Sequence, residues 1–327
     1  MKEIKIGDNE AGQRLDKFLL KYLNKAGKGF IFKMLRKKNI TLNGHKADGS
    51  ERLEKEDILR LFLSDDTIVS FQESVNLNEF KGIRPSVVFE NKDLLALNKP
   101  AGLLSQGDKS GKESCREFLI DYMLKKGEIN KADLTMFRPS PCNRLDRNTS
   151  GLILCGKSLK GEQYLSSIIR DRSIEKYYLT LVLGDVQSSE ENIAYGMKDN
   201  RENHLHVSLV PKQGYDRIVT GWQCLEVRNG ISLLKVHLIT GKPHQIRAHL
   251  ASLGHPVLGD IKYGSEASKK ISSRLGIKRQ MLHAFALHFP SRQDSDLSSR
   301  MAGKELIAPL PQDMKKIIEK IGYKTKG

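Results

Sequence analysis

Long apolar runs are missing from this chain of 327 residues. No stretch of about 18 apolar residues occurs, so no membrane-spanning helix is expected. The opening Met1-Lys2-Glu3-Ile4-Lys5 lacks the apolar core of a secretion signal. Cysteine is scarce, with only Cys115, Cys142, Cys155 and Cys224. No pair has C-x-x-C spacing, which argues against a zinc motif or a disulfide framework and makes a reducing cytoplasm the expected compartment. Acidic residues are in deficit, 39 against 55 Lys and Arg, giving a formal net charge of +16. Such a surface attracts polyanions, and nucleic acid is the commonest polyanionic partner of a cytoplasmic protein. What remains, 39% hydrophobic and 29% charged residues, fits a soluble globular chain of two or three domains.

The positive charge is concentrated near the N-terminus. Leu15, Phe18, Leu19, Tyr22 and Leu23 recur at helical spacing within residues 12–24. A second helix is expected over Phe30–Lys38, with Ile31, Met34 and Leu35 inward, followed by a strand Ile40-Thr41-Leu42 and an Asn43-Gly44 hairpin turn. From Arg14 to Lys38 there are nine basic residues and one acid, Asp16. An ordinary solvated face mixes both signs, so this one reads as a nucleic-acid contact, with Arg14, Lys17, Lys33, Arg36, Lys37 and Lys38 as candidates. Residues 64–84 carry acids and little periodicity, and read as a linker leading into a second domain.

The rest of the chain is organised around Asn143-Arg144-Leu145-Asp146-Arg147-Asn148-Thr149-Ser150-Gly151-Leu152. Charged and turn-forming residues precede the apolar run Leu152–Cys155, the pattern of a tight loop entering a buried strand. An Asp between two Arg residues should stay ionised, able to serve as a nucleophile or a base. Bracing a turn is the other role such an Asp can fill, and the residues alone leave both readings open. A phosphate-loop pattern overlaps it, Gly151-Leu152-Ile153-Leu154-Cys155-Gly156-Lys157-Ser158. Four bulky apolar residues between the glycines are ill suited to wrapping a phosphate, so this match reads as accidental. Further on, His244 and His249 are five residues apart, as are His283 and His288. Neither pair shares a helical face and the only nearby acid is Asp260, so hydrogen-bonding histidines are expected and no metal. The segment 262–280, with six basic residues and only Glu266 against them, reads as a basic insertion touching RNA. The tail from Gln312 reads as a short basic helix with a frayed end.

Arg144-Leu145-Asp146-x-x-Thr149-Ser150-Gly151-Leu152 resembles the signature of the RluA-type pseudouridine synthases, whose Asp is catalytic. Asn143 stands where that family usually has His. Lys99-Pro100-Ala101-Gly102 after two strands, Lys176-x-Tyr178, Gly241-Lys242-Pro243-His244-Gln245-Ile246-Arg247-Ala248-His249 and Gln280-Met281-Leu282-His283-Ala284 resemble further family blocks in the expected order. Pro243 replaces the usual Thr. Residues 12–62 resemble the alpha-L RNA-binding domain. The resemblance implies an α+β protein: an alpha-L RNA-binding domain (1–64), a linker (65–82) and a mixed, mainly antiparallel-sheet catalytic domain (83–327). It implies Asp146, Tyr178 and Arg247 as catalytic residues, with Arg144, Lys176 and Leu282 in support. The implied reaction isomerises uridine in RNA without metal or cofactor. Ribosomal RNA is the expected partner, with transfer RNA as the alternative and a monomer as the expected state. A non-catalytic RNA-binding assembly factor and a nucleotide hydrolase are the competing classes.

Overall fold

Short apolar runs separated by turn residues build two sheets. The computed structural model describes residues 1–7, 9–72, 79–107, 112–131, 133–291 and 294–323. The first sheet combines β1 (Lys2–Lys5), β2 (Ile40–Leu42), β3 (His45–Lys46) and β4 (Ile58–Leu61) in the order β1-β4-β2-β3. All its pairings are antiparallel. Asn43 and Gly44 both have positive φ, 53° and 78°, as the two-residue hairpin turn requires. Helices α1 (Leu15–Tyr22) and α2 (Lys28–Arg36) bury Leu15, Phe18, Leu19, Ile31, Met34 and Leu35 in one core with Ile40, Leu59 and Leu61. The first helix starts at Leu15 rather than at 12. Gly12 N donates to Leu53 O and Leu53 N to Gln13 O, which holds that approach extended.

The stretch read as a linker begins as a helix, α3 (Asp65–Ser70), capped by the Ser64 hydroxyl. Ile68 joins the small core, and the Phe71 ring lies 4.4 Å from that of Phe30. Residues 73–78 of that stretch lie outside the described residues.

The second sheet is built from β5 (Ser86–Glu90), β6 (Leu94–Lys99), β7 (Ser140–Pro141), β8 (Ser150–Gly156), β9 (Glu175–Leu183), β10 (Ser189–Asp199), β11 (His204–Ser208), β12 (Asp216–Arg228), β13 (Ile231–Leu238), β14 (Leu282–His288) and β15 (Glu305–Ile307). Its order is β11-β10-β12-β13-β9-β14-β8-β6-β5, with β15 beside β14 and β7 beside β8. Only β14 and β8 pair in parallel among the described strands. Its helices are α4 (Cys115–Lys125), α5 (Asp133–Met136), α6 (Leu159–Arg170), α7 (Gln245–Ser252), α8 (Glu266–Leu275), α9 (Asp296–Met301) and α10 (Gln312–Ile321). The architecture is therefore α+β with a mixed, mainly antiparallel main sheet.

Strand β8 is buried along its whole length. Its alternate residues serve two cores, Ile153 and Cys155 on one face and Leu152 and Leu154 on the other. The tail forms the short helix expected from Gln312, and that helix also has a buried face. Met314, Ile317, Ile318 and Ile321 of α10 form an apolar stripe buried with Leu181 of β9 and Ile231 of β13. Residues 324–327, expected to fray, lie outside the described residues. Among the described residues no helix is long and apolar enough to cross a membrane.

Candidate active site

The Asp146 loop joins β7 to β8, and nearly every residue in it is tied down. Asn143 bridges to β8 with both side-chain ends: Oδ1 accepts from Leu154 N at 2.7 Å and Nδ2 donates to Leu152 O at 3.3 Å. Leu145 N donates to Ser105 Oγ, which in turn donates to Leu145 O, while the Leu145 side chain enters the main core. Lys99 Nζ donates to Arg147 O at 3.0 Å, as well as to Pro100 O and Leu103 O. Arg279 donates to Asn148 O at 3.2 Å and forms a two-bond pair with Asp313. A loop held by its carbonyls presents its side chains at fixed positions. Alternation then buries Leu145, exposes Arg144 and leaves Asp146 half-buried at 24% side-chain exposure.

Gly151 explains how the loop reaches the sheet. Its φ is +114°, and a Cβ there would lie 2.2 Å from Ala284 O and 2.6 Å from Ala284 N. Only glycine permits β8 to pass this close to β14 at the point where the parallel pairing begins.

Arg247 comes from the first turn of α7. The helix is preceded by His244 in the left-handed region, φ 59°. Gln245 holds the turn: its Oε1 accepts from Thr240 Oγ1 and Lys242 N, and its Nε2 donates to Val219 O and Thr220 Oγ1. The Arg247 guanidinium donates to Asp146 Oδ2 at 2.7 Å. It also donates to both oxygens of Asp260, at 2.6 and 2.9 Å. Burial works against the charge on Arg247, but its bonds to Asp260 and the charges of both carboxylates raise its pKa above the ordinary value. For Asp260, burial pushes the pKa up, yet the Arg247 bonds and the N–H groups of Tyr263 and Lys262 leave it lowered. Asp146, Arg247 and Asp260 thus form a carboxylate–guanidinium–carboxylate chain with only Asp146 facing the solvent side. His244 Nε2 stands 3.7 Å from Asp146 Oδ1, its Nδ1 contacts Tyr263 Oη at 3.1 Å, and the Arg247 guanidinium lies 5.2 Å from the centre of the Tyr263 ring.

Tyr178 sits on β9 between Val236 and Ala284 and belongs to the same buried cluster as Leu145 and Leu282. Burial raises its pKa well above the ordinary phenol value, with the charge of Asp146 adding to the shift. No protein group among the described residues hydrogen-bonds its hydroxyl. A neutral phenol and an apolar wall, placed beside a carboxylate aimed by a guanidinium, could hold a planar base and move a proton near it.

The structure thus brings Asp146, Tyr178, Arg247 and Leu282 together. Arg144 is exposed, and no ion pair joins it to Asp146 among the described residues. Arg147, the other flanking arginine, reaches Gly102 O instead. The cation beside Asp146 is therefore Arg247, not a chain neighbour. Lys176 donates to Ile174 O at 3.4 Å, and no hydrogen bond or ion pair joins it to the other site residues among those described. Lys99, Asp260, His244 and Tyr263 were not singled out from the sequence for the site. A lysine closing an apolar strand was the available signal for the first; it is fully buried, and burial pushes its pKa down to about 8.

The phosphate-loop match does not form such a loop: its span Gly151–Gly156 lies within strand β8. Lys157 is paired with Glu90 and Glu128 at 2.6 and 2.7 Å, and Ser158 caps α6. In the segment 262–280, Arg279 turns inward to the Asp146 loop, whereas Lys270, Arg274 and Lys278 on or beside α8 are exposed. On the small domain Lys17, Lys33, Arg36, Lys37 and Lys38 are exposed, while Arg14 is exposed and paired with Asp16.

Residues 93–252 match the family model described as RNA pseudouridylate synthase. A ribosomal large subunit pseudouridine synthase C of Pasteurella multocida is 30% identical over 97% of this chain and 93% of its own length. An uncharacterized RNA pseudouridine synthase of Mycoplasma genitalium is also 30% identical, over 86% of this chain and 87% of its own. The solved structure of human RNA pseudouridylate synthase domain containing 4 shares the fold, with a TM-score of 0.57 at 21% identity, covering 72% of this chain and 92% of that one. With a near-full-length relative and a matching fold, this chain belongs to the RNA pseudouridylate synthase family.

Proposed function

We propose that the chain converts uridine in large-subunit ribosomal RNA to pseudouridine, with Asp146 as the essential group. The observation that carries this reading is the Asp146–Arg247–Asp260 chain beside Tyr178, whose hydroxyl has no partner among the described residues. The naming of near-full-length relatives as large-subunit ribosomal enzymes supports the choice of RNA. The reaction breaks the bond from ribose carbon 1′ to uracil nitrogen 1 and forms one to carbon 5; a proton leaves carbon 5 and one is taken up at nitrogen 1. Asp146 acts on the ribose, as nucleophile at carbon 1′ or as base toward a ribose proton. Arg247 aims it, because a two-bond grip by Asp260 leaves the guanidinium one free direction. Tyr178 stacks on the detached base and passes the carbon 5 proton, and Leu282 keeps that side dry.

A base inside folded RNA must be flipped out, which costs a few kcal/mol. In this reading residues 1–64 supply binding energy through phosphate contacts of Arg14, Lys17, Lys33, Arg36, Lys37 and Lys38, and residues 83–327 carry the chemistry. The test is release of tritium from ribosomal RNA labelled at uracil carbon 5. Wild type is expected to release it and Asp146→Asn to release none, with RNA affinity kept within a few fold. Normal turnover by the variant would remove Asp146 from the mechanism. A slower rate with deuterium on ribose carbon 2′ would favour the base route over the nucleophile.

A further inference from the structure

Helix α2 presents an aromatic ring to solvent in the middle of its basic face. Phe32 is 43% exposed, while its helix neighbours Ile31, Met34 and Leu35 are buried. Arg36 lies one turn beyond it on the same face, and Lys33 is adjacent. Across from them Lys46 and Ala47 close a groove of about 390 Å³. That volume falls in the range of about 300–1,000 Å³ in which small ligands are seated. Lys33, Arg36 and Lys46 have no ion-pair partner among the described residues. The one acid lining the groove, Asp48, is turned toward its own loop, where its Oδ1 accepts from both Ser50 N and Ser50 Oγ.

The ring is held rather than loose. Gly49 has φ +99°, and a Cβ there would lie 3.3 Å from Phe32 Cε1. The missing side chain lets the ring edge lie against the turn, and the exposed ring shares its groove with the three cations. An isolated surface phenylalanine needs no explanation, but this one is backed by a glycine turn and ringed by unpaired cations. A paired duplex hides its base faces in the stack, whereas an unpaired nucleotide offers a flat face and a phosphate together.

We infer that the groove between α2 and the turn after β3 seats one unpaired nucleotide of the RNA, its base on Phe32 and its phosphate among Lys33, Arg36 and Lys46. The inference rests on the RNA-binding reading of residues 1–64 and adds to it a preference for a bulged or looped nucleotide over a continuous duplex.

The test uses the full chain and two RNAs, a blunt duplex and the same duplex carrying a single unpaired 2-aminopurine. Wild type is expected to prefer the bulged RNA and to quench the 2-aminopurine. Phe32→Ala should lower the ratio of bulged to blunt affinity by about tenfold, the scale of one base–aromatic stack. Phe32→Trp should keep both the ratio and the quenching. Lys33→Ala with Arg36→Ala should weaken both RNAs and reduce the salt dependence. If Phe32→Ala leaves the ratio unchanged, or weakens both RNAs alike, the nucleotide seat is wrong even where the double variant loses affinity. If the double variant binds both RNAs as wild type does, the RNA-binding reading of this face fails as well.

Discussion

At the scale of single residues, the carboxylate proposed as essential is held through Arg247 by a second, fully buried carboxylate. The Asp260 side chain has 0% exposure and accepts from Nε and Nη2 of Arg247, while Nη1 points at Asp146. Asp260→Asn would put an amide N–H against a guanidinium N–H and leave a buried cation half paired. Losing one partner of a buried pair costs about 3–5 kcal/mol. The expected outcome is a lower urea midpoint and a fall in single-turnover rate larger than any loss of RNA affinity. Wild-type stability and rate would show that Arg247 is positioned by other means. The carboxylate at 146 was legible in the sequence because its motif is local. Its counterpart at 260 was not, since a lone Asp after a Gly looks like any turn and its partner is visible only in space. Arg247 as the partner of Asp146 was expected from the family resemblance, whereas the chain neighbours Arg144 and Arg147 make no ion pair with Asp146 among the described residues.

At the scale of elements, what was legible depended on whether the determinant lies within one run. Helix α1 showed in the stripe Leu15, Phe18, Leu19 and Tyr22, and α2 in Ile31, Met34 and Leu35. Helix α10 was expected as a short basic helix, but the buried surface its apolar stripe covers shows only in the fold. The strand β8 was expected from its apolar run; its parallel alignment with β14 was not, because the two are more than a hundred residues apart. Gly151 is the price of that alignment. For Gly151→Ala, forced φ and a clash with backbone add, each about 1–3 kcal/mol. Urea unfolding is therefore expected to show a loss of about 2–6 kcal/mol. A loss under about 1 kcal/mol would mean that β14 gives way easily.

At the scale of the whole molecule, two buried histidines tie the main sheet to pH. His249 contacts Thr220 and Asn192, and His283 contacts Ser150 and Ala308. Burial pushes the pKa of each down from 6.5 to about 4. The folded chain then binds fewer protons than the unfolded one between these values. Stability is full above pH 6.5 and drains as the pH falls toward 4, by about 3 kcal/mol for each histidine. The urea midpoint should fall across that window, and less steeply in His283→Asn. A midpoint level across the window would show the histidines to be protonated in the fold. The Asp313 pair that braces Arg279 has a different consequence, for synthesis. Chains leave the ribosome N-terminus first, so Asp146 emerges long before the arginine clamp at 247, the strand at 282–288 and the brace at 313. A chain interrupted before Asp313 would carry the basic α2 face and the Asp146 carboxylate but lack the brace behind its loop. In the reading proposed above, such a fragment would occupy RNA without modifying it, and full activity would begin only once the segment around Asp313 has been made.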